Sequence, residues 1–397
     1  MGKKLSKHST WVGKTDWQLA HFHGDEYSTH LGSSYNSYLV RDEKTALIDT
    51  VWLPFDKEFV SRLKEEIDLK EIDYIVMNHN EVDHSGALPE LLREIPDVPI
   101  YCTAKGEAIL RGHYHQDWNF VNVRTGDTLP LGETTLTFIE APMLHWPDTM
   151  MSFLSGDNVL FSNDVFGQHF ASESLFDDKV DAEKMMDEAM KYYANIILPF
   201  SNMAKRKLAE VKAMNLPIEI IAPSHGVMWR EHVGDILANY ERWCQGYSEN
   251  QIAIIYDTMW NSTRVMAENI AQGIHETDPE VTVKLFNAAE RDKNDILTEM
   301  FRSKAVIIGC PTINNRLSHA IGGLFEMVKG LRFKGKKGAA FGSYGWSGES
   351  VGIINEMLRA SGFEVDDDGL KVLWVPDEGA IKQCRAYGAD FATRTKA

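Results

Sequence analysis

Between residues 250 and 397 short apolar runs alternate with helix-periodic segments five times, and no other feature of the sequence constrains the fold as tightly. Ile252–Tyr256 reads as a buried strand, followed by Met266, Ile270 and Ile274 at helical spacing. The pattern repeats with strands at Val281–Phe286, Ala305–Gly309, Gly338–Gly342 and Val372–Val375, and helices near Asp295–Arg302, Ala320–Lys329 and Ser350–Ser361. Strands separated by helices pair in parallel, because the crossover returns each strand in the same direction. This half is therefore expected to be a doubly wound, five-stranded parallel sheet. The polar stretch Gly246–Gln251 precedes it, which sets the expected domains at 1–249 and 250–397.

The first half has a different grammar. Short runs rich in Ile, Val, Leu and Tyr, among them Tyr38–Val40, Thr45–Asp49, Tyr74–Met77, Val98–Cys102, Thr135–Ile139, Val159–Ser162 and Ile218–Ala222, read as strands buried by helices. Helices are suggested at Phe59–Glu66, Leu88–Glu94, Ala182–Ile197 and Lys205–Met214. The formal charge of −17 disfavours nucleic acid and anionic membrane as partners. No run approaches the ~20 apolar residues of a membrane helix, and the basic start Met1–Lys7 leads into polar residues and Trp11, unlike a secretory signal. Cys102, Cys244, Cys310 and Cys384 are scattered, with no CxxC pair, so neither a disulfide framework nor a thiolate metal site is expected. A cytoplasmic protein is the expectation.

His79-Asn80-Glu81-Val82-Asp83-His84 places four potential metal ligands in six residues at the exit of the strand Tyr74–Met77. Side chains 79, 81 and 83 share one side of an extended segment and His84 points elsewhere, which suits two metals with the ligands divided between them. Three further candidates follow strand-like runs: His145 in Met143-Leu-His-Trp-Pro-Asp148, Asp164 in Ser162-Asn-Asp-Val-Phe-Gly-Gln-His169, and His225 in Ala222-Pro-Ser-His-Gly226. Singly each reads as well as a capping or surface residue; together with the first cluster they do not.

In the second half, Asp257-Thr-Met-Trp-Asn-Ser-Thr263 lies between a strand and a helix N-terminus, where hydroxyls and backbone N–H groups form a phosphate cradle. Gly309-Cys-Pro-Thr-Ile-Asn-Asn315 and Gly342-Ser-Tyr-Gly-Trp-Ser-Gly348 each follow a strand. Glycines there let backbone approach a ring closely, and Trp346 could wall it. The three loops resemble the phosphate and isoalloxazine loops of flavodoxins, with Trp260 and Asn261 where flavodoxins often have Thr and Gly. No GxGxxG follows the first strand, which favours FMN over a dinucleotide. The expected cofactor contacts are Thr258, Met259, Trp260, Asn261, Ser262 and Thr263, then Pro311, Thr312, Ile313 and Asn314, then Ser343, Tyr344, Gly345, Trp346, Ser347 and Gly348.

The ligand set is similar to that of the metallo-β-lactamase superfamily, whose usual motif is His-x-His-x-Asp-His followed by separate His, Asp and His. Glu81 stands at the second His, and a carboxylate there shifts preference from zinc towards iron. His-x-Glu-x-Asp-His, with the His145 and Asp164 motifs, resembles the flavodiiron proteins along the whole chain. The resemblance implies a metallo-β-lactamase-like αββα sandwich followed by a flavodoxin-like sheet. It implies one non-haem iron held by His79, Glu81 and His145 and another by Asp83, His84 and His225, with Asp164 bridging. Members of the family differ in whether the histidine at the His84 position ligates. His169 reads as a residue behind the ligands or a structural histidine, while His23 and Tyr193 resemble residues near the open face of the irons.

The same resemblance implies a reductase of O2 to water, of NO to N2O, or of both. Electrons would come through FMN from a separate rubredoxin or flavin reductase, within a head-to-tail homodimer or a dimer of dimers. Two other readings stay open: a zinc hydrolase carrying an electron-transfer flavodoxin tail, and an electron carrier whose first half has lost its metal. Glu81 weighs against the former, and retention of all seven ligand positions against the latter.

Overall fold

A computed structural model describes residues 2–396 and divides into two compact units, one ending at Cys244 and the other beginning at Gln245. The expected boundary at 249 falls on the first residue of the strand Glu249–Tyr256.

Two sheets make the first unit. Seven strands run in the order Lys3–Lys4, Ser9–Trp11, Tyr38–Arg41, Thr45–Ile48, Tyr74–Val76, Ile100–Cys102 and Phe120–Asn122, antiparallel as far as Thr45–Ile48 and parallel beyond it. The other sheet orders Thr128–Pro130, Thr135–Glu140, Met150–Ser155, Val159–Asn163 and Ile220–Pro223. Alternation along each strand sends one set of side chains into a shared core. Tyr38, Val40, Ala46, Ile48 and Val76 from the first sheet meet Leu136, Phe138, Met150, Leu154, Val159 and Phe161 from the second. The intervening Leu39, Leu47 and Ile75 are equally buried on the opposite face, so that sheet is covered on both sides. Helices Asp56–Glu66, Leu88–Glu94, Ala104–Tyr114, Ala182–Tyr192, Ser201–Ala213 and Val233–Trp243 complete an αββα sandwich.

The second unit is the expected parallel sheet, with strands in the order Thr282–Asn287, Glu249–Tyr256, Ser303–Gly309, Lys337–Tyr344 and Leu370–Leu373. Its first strand lies between the second and third, so the loops leaving the first and third strands diverge at their carboxyl ends and open a crevice. The fifth strand stops at Leu373, two residues short of the expected Val375, because Trp374 adopts left-handed backbone at φ 58°.

A closing helix, Glu378–Thr395, is not picked out by the sequence pattern. It packs along Ser262–Thr277 through glycines: a Cβ on Gly273 would lie 2.0 Å from the Arg385 carbonyl, and one on Gly388 would lie 2.1 Å from that of Ile270. An interface built on absent side chains leaves little apolar periodicity to read. Among the described residues no helix is long and apolar enough to cross a membrane. All four cysteines are buried and outside any disulfide.

Candidate metal and flavin sites

The segment after Tyr74–Val76 turns sharply because Asp49 Oδ1 accepts the Asn78 N–H at 2.7 Å. It continues into the short helix Val82–Ser85, which carries Asp83 and His84. His145, Asp164 and His225 arrive from the ends of Thr135–Glu140, Val159–Asn163 and Ile220–Pro223. Four strand ends thus converge on one place. They form two clusters, His79 with His145 and Asp164, and Asp83 with His84 and His225, each with its candidate ligand atoms within 4.8 Å of one another.

Asp164 joins the clusters. Its Oδ2 lies 3.2 Å from His145 Nε2 and 3.6 Å from His79 Nε2, while its Oδ1 lies 3.2 Å from His84 Nε2 and 3.6 Å from His225 Nε2. Glu81 Oε2 sits 3.4 Å from His79 Nε2 and 3.6 Å from His145 Nε2. Asp83 Oδ2 sits 3.1 Å from His84 Nε2 and 3.2 Å from His225 Nε2. The four Nε2 atoms and three carboxylates face common ground.

His79, Asp83, His84 and Asp164 are buried, and burial opposes charge on each of them. Even so, Asp148 and Glu81 raise His79 to about 10, and Asp83 and Asp164 hold His84 well above the usual histidine range. Burial is likewise outweighed for Asp164 by His84 and His145, and for Asp83 by His84 and His225, so both carboxyls lie well below their ordinary value. Carboxylates and imidazoles so mutually stabilised in their charged forms make a site in which a cation competes with protons for the same ligand atoms. The fit to metal goes further than charge. Both carboxylate oxygens of Asp83 and of Asp164, and both ring nitrogens of His84, are buried without a well-aligned hydrogen-bond partner. Such atoms are costly to bury unless they coordinate something. A set of nitrogen and oxygen donors without sulfur suits iron.

Two groups without a role in the sequence reading, the Asp148 carboxylate and the Ser34 carbonyl, orient the ligands. Asp148 Oδ2 lies 3.2 Å from His79 Nδ1 and accepts from the Asn80 N–H and Nδ2, each at 2.8 Å. His225 Nδ1 lies 2.7 Å from the Ser34 carbonyl. Each imidazole so held presents Nε2 inward. His169 stands behind His225, ring centroids 4.9 Å apart, with Nδ1 2.7 Å from Ser33 Oγ. Burial, reinforced by His225 and His23, lowers its pKa well below the usual range, and it lies outside both clusters.

An open cavity of about 340 Å³ is lined by His23, Glu81, His145, Trp146, Asn195 and Ile196. His23 therefore stands at the mouth, its Nε2 3.1 Å from Glu81 Oε1. Burial works against its proton, but Glu81 raises its pKa. Tyr193 requires a correction. Its hydroxyl pairs with Ser201 Oγ at 2.8 Å and its ring packs on Tyr240 and Trp243, away from that mouth. Its neighbour Tyr192 does lie beside a ligand, 6.2 Å from His225 between ring centroids and 5.3 Å from His169, as does Tyr35 at 6.0 Å from His225. The chain passes from Ala182–Tyr192 into a wide turn at Tyr193–Ile197. One helical step rotates a side chain by about 100°, so neighbouring tyrosines face different ways.

In the second unit the three expected loops leave adjacent strands at the same end of the sheet. Thr258, Met259, Trp260 and Asn261 precede the helix Ser262–Thr277, whose first residues include Ser262 and Thr263 and whose N-terminus has no side-chain cap. Thr258 Oγ1 is buried without a partner, as a hydroxyl meant for a phosphate would be. Thr263 Oγ1 meets Ser343 Oγ at 2.9 Å, and the Thr312 N–H donates to the Ser343 carbonyl at 3.1 Å, tying the loops together. Pro311 to Asn314 form the second loop, with Asn314 at φ 51°. Ser343 and Tyr344 end the strand Lys337–Tyr344, and Gly345 to Gly348 form the third loop. Trp260 and Trp346 project into solvent, 83% and 85% exposed.

Residues 34–226, which span every candidate metal ligand, match the ODP family beta lactamase, and residues 254–388 match flavodoxin. The anaerobic nitric oxide reductase flavorubredoxin of Escherichia coli is 53% identical over 384 residues, 96% of this chain and 80% of that relative. Among solved structures, rubredoxin oxygen:oxidoreductase from Desulfovibrio gigas superposes with a TM-score of 0.96 at 35% identity, covering 100% of this chain and 99% of that one. The flavodiiron protein from Giardia intestinalis follows at 0.95 and 33%, covering 100% and 97%. The chain belongs to the flavodiiron protein family. As a flavodiiron protein it is an oxidoreductase, joining a metallo-β-lactamase-like unit to a flavodoxin-like one. The αββα sandwich and the parallel sheet, expected from the sequence, are the folds of those two family models.

Proposed function

We propose that this flavodiiron protein reduces O2 to water, NO to N2O, or both, with electrons passed through FMN to a pair of non-haem irons. The observation that carries the reading is Asp164, whose two oxygens face two separate ligand clusters in a chain that also carries a flavodoxin sheet. His79, Glu81 and His145 would hold one iron and Asp83, His84 and His225 the other, with Asp164 between them. The irons would supply two adjacent binding positions for a diatomic molecule and store electrons, and FMN would relay them singly or in pairs.

The side chains have their own tasks. Asp148 and the Ser34 carbonyl keep His79 and His225 turned inward. The carboxylates offset metal charge. His23, with Nε2 against Glu81 at the mouth, is placed to hold a proton where either reduction consumes protons. Thr258, Thr263 and the uncapped helix start would receive the FMN phosphate, while the loops at 311–314 and 343–348 flank its ring. The electron donor is an external rubredoxin or flavin reductase, and the working form a head-to-tail homodimer or dimer of dimers. Four thiols outside any disulfide support a reducing compartment such as the cytoplasm.

The zinc hydrolase alternative loses support at Glu81, which puts an oxygen donor where that chemistry usually has an imidazole. Metal and flavin analysis of the full chain, with gas uptake from reduced donor, tests the choice. Two irons and one FMN per chain with consumption of O2 or NO are expected. Stoichiometric zinc, ester or amide hydrolysis and no gas uptake would overturn the proposal.

A further inference from the structure

Trp374 follows the strand Leu370–Leu373 in left-handed backbone, φ 58°, with 67% of its surface exposed. Both conditions are unfavourable for a bulky apolar residue, because that backbone crowds Cβ and water surrounds the ring. A residue kept in such a state points to a constraint from its surroundings. Here the constraint lies in its two N–H groups. The backbone N–H donates to the Tyr344 carbonyl at 2.8 Å, and the indole Nε1–H donates to the Gly345 carbonyl at 2.9 Å.

Those consecutive carbonyls open the third flavin loop, and Gly345 is otherwise loosely surrounded. A side chain built on it would meet nothing within 4 Å. Farther along, Glu349 ties this loop to the second, accepting from Ser347 Oγ at 2.8 Å and from Asn315 Nδ2 at 2.7 Å. The third loop is thus held by Trp374 at Gly345 and braced through Glu349 at Ser347.

We infer that Trp374 is a positioning residue of the flavin site: its indole N–H fixes the Gly345 carbonyl, and with it the loop beside the isoalloxazine ring. This rests on the FMN reading proposed above. Removing one exposed hydrogen bond, with the Glu349 ties intact, should change flavin retention by about three- to tenfold.

Trp374→Phe in the full-length holoprotein keeps an aromatic ring and the backbone N–H while deleting the indole donor. FMN release on dilution, followed by recovery of free-flavin fluorescence, should quicken about three- to tenfold. The visible circular dichroism of bound flavin and its midpoint potential should shift as well. Trp374→Gly relaxes the left-handed backbone and should release FMN at least as fast without a lower apoprotein melting temperature. Unchanged release, dichroism and potential in Trp374→Phe overturn the inference. So does faster release that merely tracks a lower apoprotein melting temperature. A wild-type chain that holds no FMN would overturn the flavin reading itself along with it, which separates the two failures.

Discussion

The seven candidate metal ligands come from four strand ends and are largely buried, whereas the flavin loops leave Met259, Trp260 and Trp346 in solvent. One site is a set of charges that satisfy one another. The other is mostly backbone, held by a few hydroxyls and cross-loop hydrogen bonds. A buried charge cluster fails when one member is removed, because the remaining charges lose their compensation. A backbone cradle spreads its contacts over many peptides and should lose only one increment per side chain. The units should therefore respond to mutation on different scales and independently of each other.

Asp164→Asn attacks the group shared by both clusters and should have the largest effect. Iron measured by plasma mass spectrometry should fall below half of the wild-type content, and gas turnover by at least about two orders of magnitude. FMN content should not change; its loss would show that the sites are not independent. Asp148→Ala leaves every ligand in place but frees His79 to rotate. Iron affinity, measured by competition with a chelator, should weaken about 10- to 100-fold with FMN retained.

The second unit also buries a charged side chain, Lys336, which sharpens the comparison. Lys336 Nζ donates to the carbonyls of Tyr247, Phe301 and Ser303, at 3.0, 2.8 and 2.6 Å. Burial, partly offset by Glu249, pushes it from 10.5 down to about 7. Between those pH values the unfolded chain keeps a proton that the folded chain has shed, so this group makes stability rise with pH across that window. Lys336→Met should flatten the rise and, by removing the amine's N–H donors from these carbonyls, cost about 1–3 kcal/mol at pH 9. Chemical denaturation at pH 7 and pH 9 measures both. The smallest effect is expected from Thr258→Val, which removes one hydroxyl from the phosphate cradle. FMN affinity should drop about three- to tenfold, with iron content unaltered.

The same contrast governs what could be read from the sequence. Metal ligands are chemically distinctive residues, and His79 to His84 announce themselves by spacing. Asp148 does not, since what it orients lies 69 residues away and only the fold brings the two together. Adjacent Tyr192 and Tyr193 are indistinguishable until the helix phase is known, and the wide turn at Tyr193–Ile197 sets that phase. The flavin loops were legible because glycines and hydroxyls followed strands whose alternation fixed the sheet. Trp374 was not, because nothing local signals a left-handed tryptophan whose partners sit on another loop. The helix Glu378–Thr395 escaped because its packing uses Gly388 against Gly273's helix, and small residues leave no apolar stripe.

The central claim is that electrons held on FMN reach a diatomic gas through the irons. Anaerobic stopped-flow of the fully reduced, iron-loaded protein against O2 and then NO, with iron and FMN assayed on the same sample, tests it most directly. Flavin reoxidation by at least one gas within the instrument's range is expected, as is its loss in Asp164→Asn despite bound FMN. Protein holding FMN and two irons per chain that reacts with neither gas, or whose flavin reoxidises equally well in Asp164→Asn, would contradict the claim.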